Sequence, residues 1–117
     1  MFRQMMKSKI HRAFVTDANI DYEGSISIDR DLLEAADILS GEKVLIVNLD
    51  NGARIESYAI PAERGSGEIC LNGGAAKHGK KGDCVIIITF CTLDESEVKT
   101  YIPKIVKVNA KNKMVKT

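Results

Sequence analysis

Residues 43–60, KVLIVNLDNGARIESYAI, contain the pattern that decides the fold. Residues 43–48 and 54–60 are rich in β-branched and aromatic side chains, which favour β-strands. Asp50, Asn51 and Gly52 lie between them, and Asn-Gly is a dipeptide that tight hairpin turns prefer. The stretch therefore predicts two antiparallel strands joined by a short turn.

Further short strands are predicted on both sides of this hairpin, at residues 5–16, 68–71, 84–90 and 102–108. Residues 84–90 form a continuous apolar run, which is typical of a strand buried on both faces. Asp29 predicts the N-cap of a short helix over residues 30–37, and smaller helical turns are predicted at 74–78 and 94–99. Many short strands with few helices indicate a mainly β fold, a small β-barrel.

The composition indicates a single domain covering residues 1–117. With 17 basic and 16 acidic residues the net charge is +1, so no overall field attracts nucleic acid or an anionic membrane. The longest apolar run, residues 84–88, is too short to cross a bilayer, and residues 1–9 lack the apolar segment of a signal peptide. We therefore expect a cytoplasmic protein with neither nucleic acid nor membrane as its partner.

The cysteines and histidines are few and scattered. Cys70, Cys84 and Cys91 are odd in number and form no CxxC pair, which disfavours both a disulfide framework and a zinc site. Only His11 and His78 could add imidazole ligands. We expect reduced thiols and no metal.

The C-terminal region is locally basic. No acidic residue follows Glu97, whereas lysines accumulate beyond it. A frayed, solvated tail is the main expectation, and a nucleic-acid patch is the alternative.

The dipeptide Gly24-Ser25 carries a chemical possibility. In a strained turn, a serine hydroxyl can attack the carbonyl carbon before it and convert the amide into an ester, and glycine tolerates the unusual backbone angles that such a turn needs. β-Elimination would then release Gly24 as a carboxylate and leave dehydroalanine, which hydrolyses to a pyruvoyl group and ammonia. An ordinary turn between strands remains the alternative.

Strand alternation places Arg54, Glu56 and Tyr58 on one face of the strand at 54–60. A guanidinium can bind a carboxylate with two parallel hydrogen bonds, and a tyrosine can donate a proton to a carbanion. The same two residues could equally be a surface cation and a half-buried aromatic.

Two further groups are candidates with ordinary alternatives. Lys9 and His11 share one face of the first strand, where they could simply form the polar side of an edge strand. The run Asn72-Gly73-Gly74-Ala75-Ala76 has small side chains that leave backbone N–H groups open to an anion, or it is an ordinary glycine-rich turn before a helix.

Together these motifs resemble the pyruvoyl-dependent aspartate decarboxylase family. The resemblance covers about residues 1–108 in register and rests on the order and spacing of short motifs. These are 7–13 with Val15-Thr16, 19–29, 51–54, 58–60, 62–66, 72–76 and 82–87.

The resemblance implies a double-psi β-barrel that cleaves itself between Gly24 and Ser25, giving a β chain (1–24) and an α chain (25–117). It implies a covalent pyruvoyl cofactor derived from Ser25, which forms a Schiff base with L-aspartate and releases CO₂ and β-alanine for pantothenate biosynthesis. It also implies a homotetramer with active sites between subunits, no diffusible cofactor, and an open question of whether an accessory protein assists maturation.

The resemblance assigns roles to individual residues as well. Tyr58 is the implied proton donor. The implied substrate-binding residues are Lys9, Arg54, Ser57, Gly73, Gly74 and Ala75, and the implied supporting residues are Asn72 and His11. Two positions depart from the family pattern, because Ser57 stands where threonine is usual and Gly74 where alanine is usual. Ser57 keeps the hydroxyl that would polarise the Gly24 carbonyl.

Two other classes remain open from the sequence. One is a non-catalytic double-psi barrel that acts as a binding or regulatory module through its basic C-terminal tail. The other is a structural subunit with a degenerate site, towards which Ser57 is the only hint. Neither needs scission at Gly24.

Overall fold

The computed structural model describes residues 1–116 and contains eight strands and three short helices. The strands are β1 (Phe2–Phe14), β2 (Asp17–Asn19), β3 (Ser25–Asp29), β4 (Lys43–Asn48), β5 (Arg54–Ala62), β6 (Ile69–Asn72), β7 (Cys84–Asp94) and β8 (Lys104–Lys107). The helices are α1 (Arg30–Ala35), a 3₁₀ helix (Gly73–His78) and α2 (Glu95–Val98).

The strands form one sheet in the order β2-β6-β3-β5-β4-β7-β1-β8. Within it, β3 lies between β5 and β6, parallel to the first and antiparallel to the second. In the same way β1 lies between β8 and β7, parallel to the first and antiparallel to the second. In each group of three, the middle strand comes earlier in the chain than its two neighbours, and those two neighbours are consecutive strands. This is the psi arrangement. The fold is therefore a double-psi one.

The two ends of this order are brought together by the residues that follow β1. The Thr16 amide donates to the carbonyl of Ile69 at 2.8 Å, and the Ile69 amide donates to Thr16 Oγ1 at 2.9 Å. Because β1 lies near one end of the order and β6 near the other, this contact curls the sheet into a small barrel.

Branched aliphatic side chains from most strands fill the interior, and Ile10, Ile26, Ile28, Ile69 and Ile87 are fully buried. The expectation that residues 84–90 are buried on both faces is wrong. In β7 the side chains of Val85 and Ile87 are buried, whereas Ile86 and Ile88 are only half-buried. The strand follows the period-two alternation of an antiparallel sheet, since both of its neighbours run antiparallel to it.

The predicted helices are present. Asp29 caps α1 by accepting from the Asp31 amide at 2.8 Å. Asp94 caps α2 in a reciprocal capping box with Glu97. None of the helices among residues 1–116 has both the length and the apolar character needed to cross a membrane.

The expectation of a frayed C-terminus is wrong for residues 108–115. Val108 and Met114 form a bridge, and the Val115 amide donates to the carbonyl of Lys107 at 2.9 Å. Asn112 is 1% exposed, and its side-chain amide donates to the carbonyls of Phe14 and Gly67. Buried hydrogen bonds therefore fasten this segment to the barrel.

Candidate active site

Ser25 is the first residue of β3 and is 1% exposed. It lies opposite Asn72 in the antiparallel pair with β6. The Asn72 side-chain amide donates to Ser25 Oγ at 2.9 Å, and Ser25 Oγ lies 3.4 Å from the carbonyl oxygen of Glu23. The hydroxyl is therefore held in a fixed, water-poor position directly after Gly24.

The positive φ lies at Gly73, although the sequence pointed to Gly24 as the glycine with unusual backbone angles. Gly24 does not adopt a positive φ, whereas Gly73 has a φ of 60°. A Cβ added at Gly73 would lie 2.7 Å from the Gly24 nitrogen and 2.8 Å from both Gly24 Cα and the Tyr22 carbonyl oxygen. Glycine is required at position 73 because it packs directly on the segment before Ser25.

A cleft of about 490 Å³ opens next to this segment. Five residues predicted from the sequence line it, namely Gly24, Ser57, Tyr58, Gly74 and Ala75. Ile55, Glu56 and His78 complete the lining and were not predicted. Ser25 does not line the cleft, so Gly24 stands between the cleft and the buried hydroxyl.

Tyr58 reaches the cleft because of the pairing between β3 and β5. Ile26 is level with Ala59 in this parallel pair, so the preceding residues, Ser25 and Tyr58, are also close in level along the strands. Tyr58 is 42% exposed. Its hydroxyl is thus available to a molecule bound in the cleft.

Arg54 lies on the same exposed face of β5 as Tyr58, as the alternation predicts. The two are four residue steps apart along the strand, which corresponds to about 13 Å. Arg54 does not line the cleft, and it forms no ion pair with any of residues 1–116. A single chain therefore does not bring Arg54 to Ser25.

Lys9 and His11 line a different cleft, of about 400 Å³, together with Ile105 and Lys107. Burial lowers the pKa of His11, and the positive charges of Lys9, Arg12 and Lys107 lower it further. His11 Nδ1 is buried and has no hydrogen-bond partner within residues 1–116. The predicted site residues that line a cleft are thus divided between two clefts of one chain, and Ser25, Arg54, Asn72 and Gly73 line neither of them.

Ser27 and Cys70 belong to the surroundings of Ser25 and were missed from the sequence. They lie opposite each other in the same β3–β6 pair, and both contact Asn72 through their side chains. The only available signal was their spacing, since Ser27 follows Ser25 by two residues and Cys70 precedes Asn72 by two. No group of three side chains able to hold a metal ion occurs in the described part of the chain.

Comparison with known proteins gives a consistent result. The family model described as aspartate decarboxylase matches residues 1–115. A protein of Thermoanaerobacter pseudethanolicus, named aspartate 1-decarboxylase, is 56% identical over 98% of both chains. Proteins of the same name from Acetivibrio thermocellus and Listeria monocytogenes are 57% and 59% identical; they cover 98% and 96% of this chain, and 91% and 88% of their own lengths. This chain therefore belongs to the aspartate decarboxylase family.

Proposed function

We propose that this protein decarboxylates L-aspartate to β-alanine and CO₂ after cleaving itself between Gly24 and Ser25. Its family and the names of its relatives support the reaction. The observation that carries the proposed site is the buried Ser25 hydroxyl, held 2.9 Å from the Asn72 amide beside a cleft that contains Tyr58. A physiological role in pantothenate synthesis would follow from this product, and we propose the cytoplasm as its location.

The scission uses only groups of the chain and one water molecule. Ser25 Oγ adds to the carbonyl carbon of Gly24, the bond from that carbon to the Ser25 nitrogen breaks, and the hydroxyl proton passes to the nitrogen. The resulting ester loses the Cα proton of residue 25 and expels the Gly24 carboxylate. Hydrolysis of the remaining dehydroalanine releases ammonia and leaves a ketone at residue 25.

The surroundings of residue 25 fit such a ketone. The ketone oxygen would lie on Cα of residue 25 and can only accept hydrogen bonds, and the Asn72 side chain presents an N–H donor to the same residue, 2.9 Å from Oγ on the adjacent carbon. When present, the group supplies an electron sink for the bond to the departing carboxylate. Scission would also release Gly24, the residue that separates Ser25 from the cleft.

The other residues bind the substrate and move a proton. The backbone of Gly73, Gly74 and Ala75 would bind a carboxylate through N–H groups, and Ser57 would polarise the Gly24 carbonyl during scission. The Tyr58 hydroxyl would donate a proton to the carbon that has lost CO₂.

Arg54 and Lys9 would hold the carboxylates of the substrate from a neighbouring copy of the chain. Their separation from the cleft beside Ser25 within one chain supports this arrangement. A homotetramer with shared sites is the assembly that we propose, with His11 supporting Lys9. The experiment below also tests whether an accessory protein accelerates scission.

The test is to incubate the purified chain with L-aspartate and to measure β-alanine and CO₂ in parallel with intact mass. Addition of a lysate from the organism that naturally encodes the protein tests for an accessory factor. Wild-type protein should form both products in proportion to the fraction cleaved, and Ser25→Ala should form neither. Product formation by an uncleaved chain would refute the proposed route.

A further inference from the structure

Four small polar residues form a closed cluster around the proposed scission site. Ser25 is opposite Asn72, and Ser27 is opposite Cys70, in consecutive facing positions of β3 and β6. All four are at most 9% exposed. The alternate residues of these strands, such as Ile26 and Leu71, belong to the apolar core. Polar side chains in this setting are costly unless they are fully paired.

Both N–H donors and the carbonyl oxygen of the Asn72 side chain make contacts inside the cluster. Nδ2 donates to Ser25 Oγ and to Ser27 Oγ, each at 2.9 Å. Oδ1 lies 3.2 Å from Cys70 Sγ, which is closer than the 3.9 Å from that sulfur to the carbonyl of Leu71. Because Oδ1 can only accept, the Cys70 S–H is the donor in this contact.

The two serines cannot fix the direction of the Asn72 amide alone. A hydroxyl both donates and accepts, so Ser27 would pair with either end of the amide, and the 3.4 Å contact from Ser25 Oγ to the Glu23 carbonyl is too long to hold the Ser25 proton away from the amide. If the amide were rotated by 180°, Nδ2 would face Cys70. It would then have one weak sulfur acceptor instead of two oxygen acceptors. Cys70 is thus the member of the cluster that distinguishes the two orientations.

The thiol is suited to remain a donor. Burial raises the pKa of Cys70, and the negative charges of Asp17 and Glu68 raise it further, against the backbone amide of Asn19. The sulfur therefore keeps its proton at neutral pH.

We propose that Cys70 is a positioning residue for the chemistry at residue 25, because its S–H holds the Asn72 amide with an N–H directed at that residue. This inference rests on the proposed function for its consequence. Ser25 Oγ begins as a hydroxyl, which pairs with either end of the amide, and after the acyl shift it is an ester oxygen, which can only accept and so pairs only with the N–H. The orientation that Cys70 selects is the one that this ester requires.

The experiment measures scission of freshly made protein without substrate. The wild type, Cys70→Ala and Cys70→Ser are synthesised in a cell-free system, and intact mass is recorded over time. Loss of one hydrogen bond of ordinary strength should slow scission in Cys70→Ala about three- to tenfold. Cys70→Ser restores a donor and should recover the wild-type rate within about threefold.

Cys84→Ala is the matched control. Cys84 is also a free, buried cysteine, and burial raises the pKa of its thiol too, but none of the hydrogen bonds within residues 1–116 joins it to the Asn72 side chain. Its substitution should lower the melting temperature about as much as Cys70→Ala while leaving the scission rate unchanged. Equal slowing in both alanine variants, or no rescue by Cys70→Ser in a folded protein, would overturn the inference.

A second measurement separates this inference from the proposed function. Hydrogen exchange of the Asn72 side-chain amide, followed by NMR in the uncleaved chain, should be several-fold faster in Cys70→Ala and near the wild-type rate in Cys70→Ser. If the wild type never cleaves, the proposed function fails while this readout still tests the hydrogen bond. Unchanged exchange in Cys70→Ala would show that Cys70 does not hold the amide.

Discussion

Gly73 packs so closely on Gly24 that a Cβ at position 73 would lie 2.7 Å from the Gly24 nitrogen. The nitrogen belongs to the residue whose carbonyl carbon Ser25 Oγ must attack. The close approach thus sets the position of the bond that is proposed to break.

We therefore expect Gly73→Ala to slow scission on the order of a hundredfold, as displacement of reacting atoms by about 1 Å can do. The alanine must also adopt the φ of 60° found at Gly73, which costs about 1–3 kcal/mol of stability. Time-resolved intact mass and thermal unfolding measure the two effects.

Gly74→Ala is the control for this prediction. A Cβ at Gly74 meets no atom within 4 Å, and its φ is not positive. Scission in Gly74→Ala should proceed at the wild-type rate. Wild-type scission in a folded Gly73→Ala would remove the role assigned to this contact.

Tyr58→Phe should separate maturation from turnover. The ring and its packing remain, but the proton proposed to reach the carbon after decarboxylation is absent. Scission should be unchanged, whereas kcat for β-alanine formation should fall by about 10²–10⁴-fold. Tyr101→Phe is the control, because that hydroxyl donates to the carbonyl of Lys7 at 2.9 Å and lies outside the cleft. Turnover of Tyr58→Phe at the wild-type rate would mean that another group supplies the proton.

Arg54→Ala should impair capture of the substrate. Removing the partner of a bound carboxylate costs a few kcal/mol, so kcat/KM for aspartate should fall by on the order of a hundredfold or more. Scission should continue, since Arg54 does not line the cleft beside Gly24.

Arg30→Ala provides the comparison, because Arg30 is an exposed arginine at the start of α1. Its kcat/KM should match that of the wild type. An unchanged kcat/KM in fully cleaved Arg54→Ala would exclude the assigned role.

The stability of the fold should depend on pH through Asp29. Burial acts to raise the pKa of this carboxyl, but hydrogen bonds from the amides of Gly67, Asp31 and Gly65 outweigh it and hold the pKa below the ordinary value of 3.8. The carboxylate thus stabilises the folded state fully above that ordinary value, and this stabilisation is lost as the pH falls through the lower folded-state pKa.

Urea unfolding of the single-chain Ser25→Ala protein should show this loss below about pH 4. Asp29→Asn should be less stable by about 1–3 kcal/mol at neutral pH and should lose less stability on acidification. Asp21→Asn, at an exposed position, should leave the profile unchanged. If Asp29→Asn and its parent lose stability in parallel on acidification, the carboxylate does not contribute in this way.

The hairpin of β4 and β5 and the cap of α1 were predictable because local chemistry determines them. Asn-Gly specifies a turn, and Asp29 satisfies a free helix amide whatever surrounds it. Strands β2 and β3 were not predicted. In β3, Ser27 and Asp29 are buried polar residues whose partners, Asn72 and the amides of Gly65 and Gly67, lie far away in the sequence. The sequence of β3 alone therefore does not show that these residues form buried hydrogen bonds inside a barrel.

The candidate site was likewise only partly predictable from the sequence. Strand alternation placed Arg54 and Tyr58 on one face of β5, as the structure has them. Gly74 and Ala75 of the glycine-rich run line the same cleft as Gly24. The separation of Lys9 from that cleft, the close approach of Gly73 to Gly24 and the contact of Cys70 with Asn72 depend on strand register. Register is a property of the whole sheet, so short motifs did not contain it.

The most direct test of the account is the intact mass of the purified wild-type chain after long incubation, alone and with a lysate of the producing organism. The account predicts two fragments, residues 1–24 and 25–117, the larger carrying a ketone and no N-terminal amine, while Ser25→Ala stays one chain. A wild-type protein that remains at the full-length mass of 12.8 kDa under both conditions would contradict it.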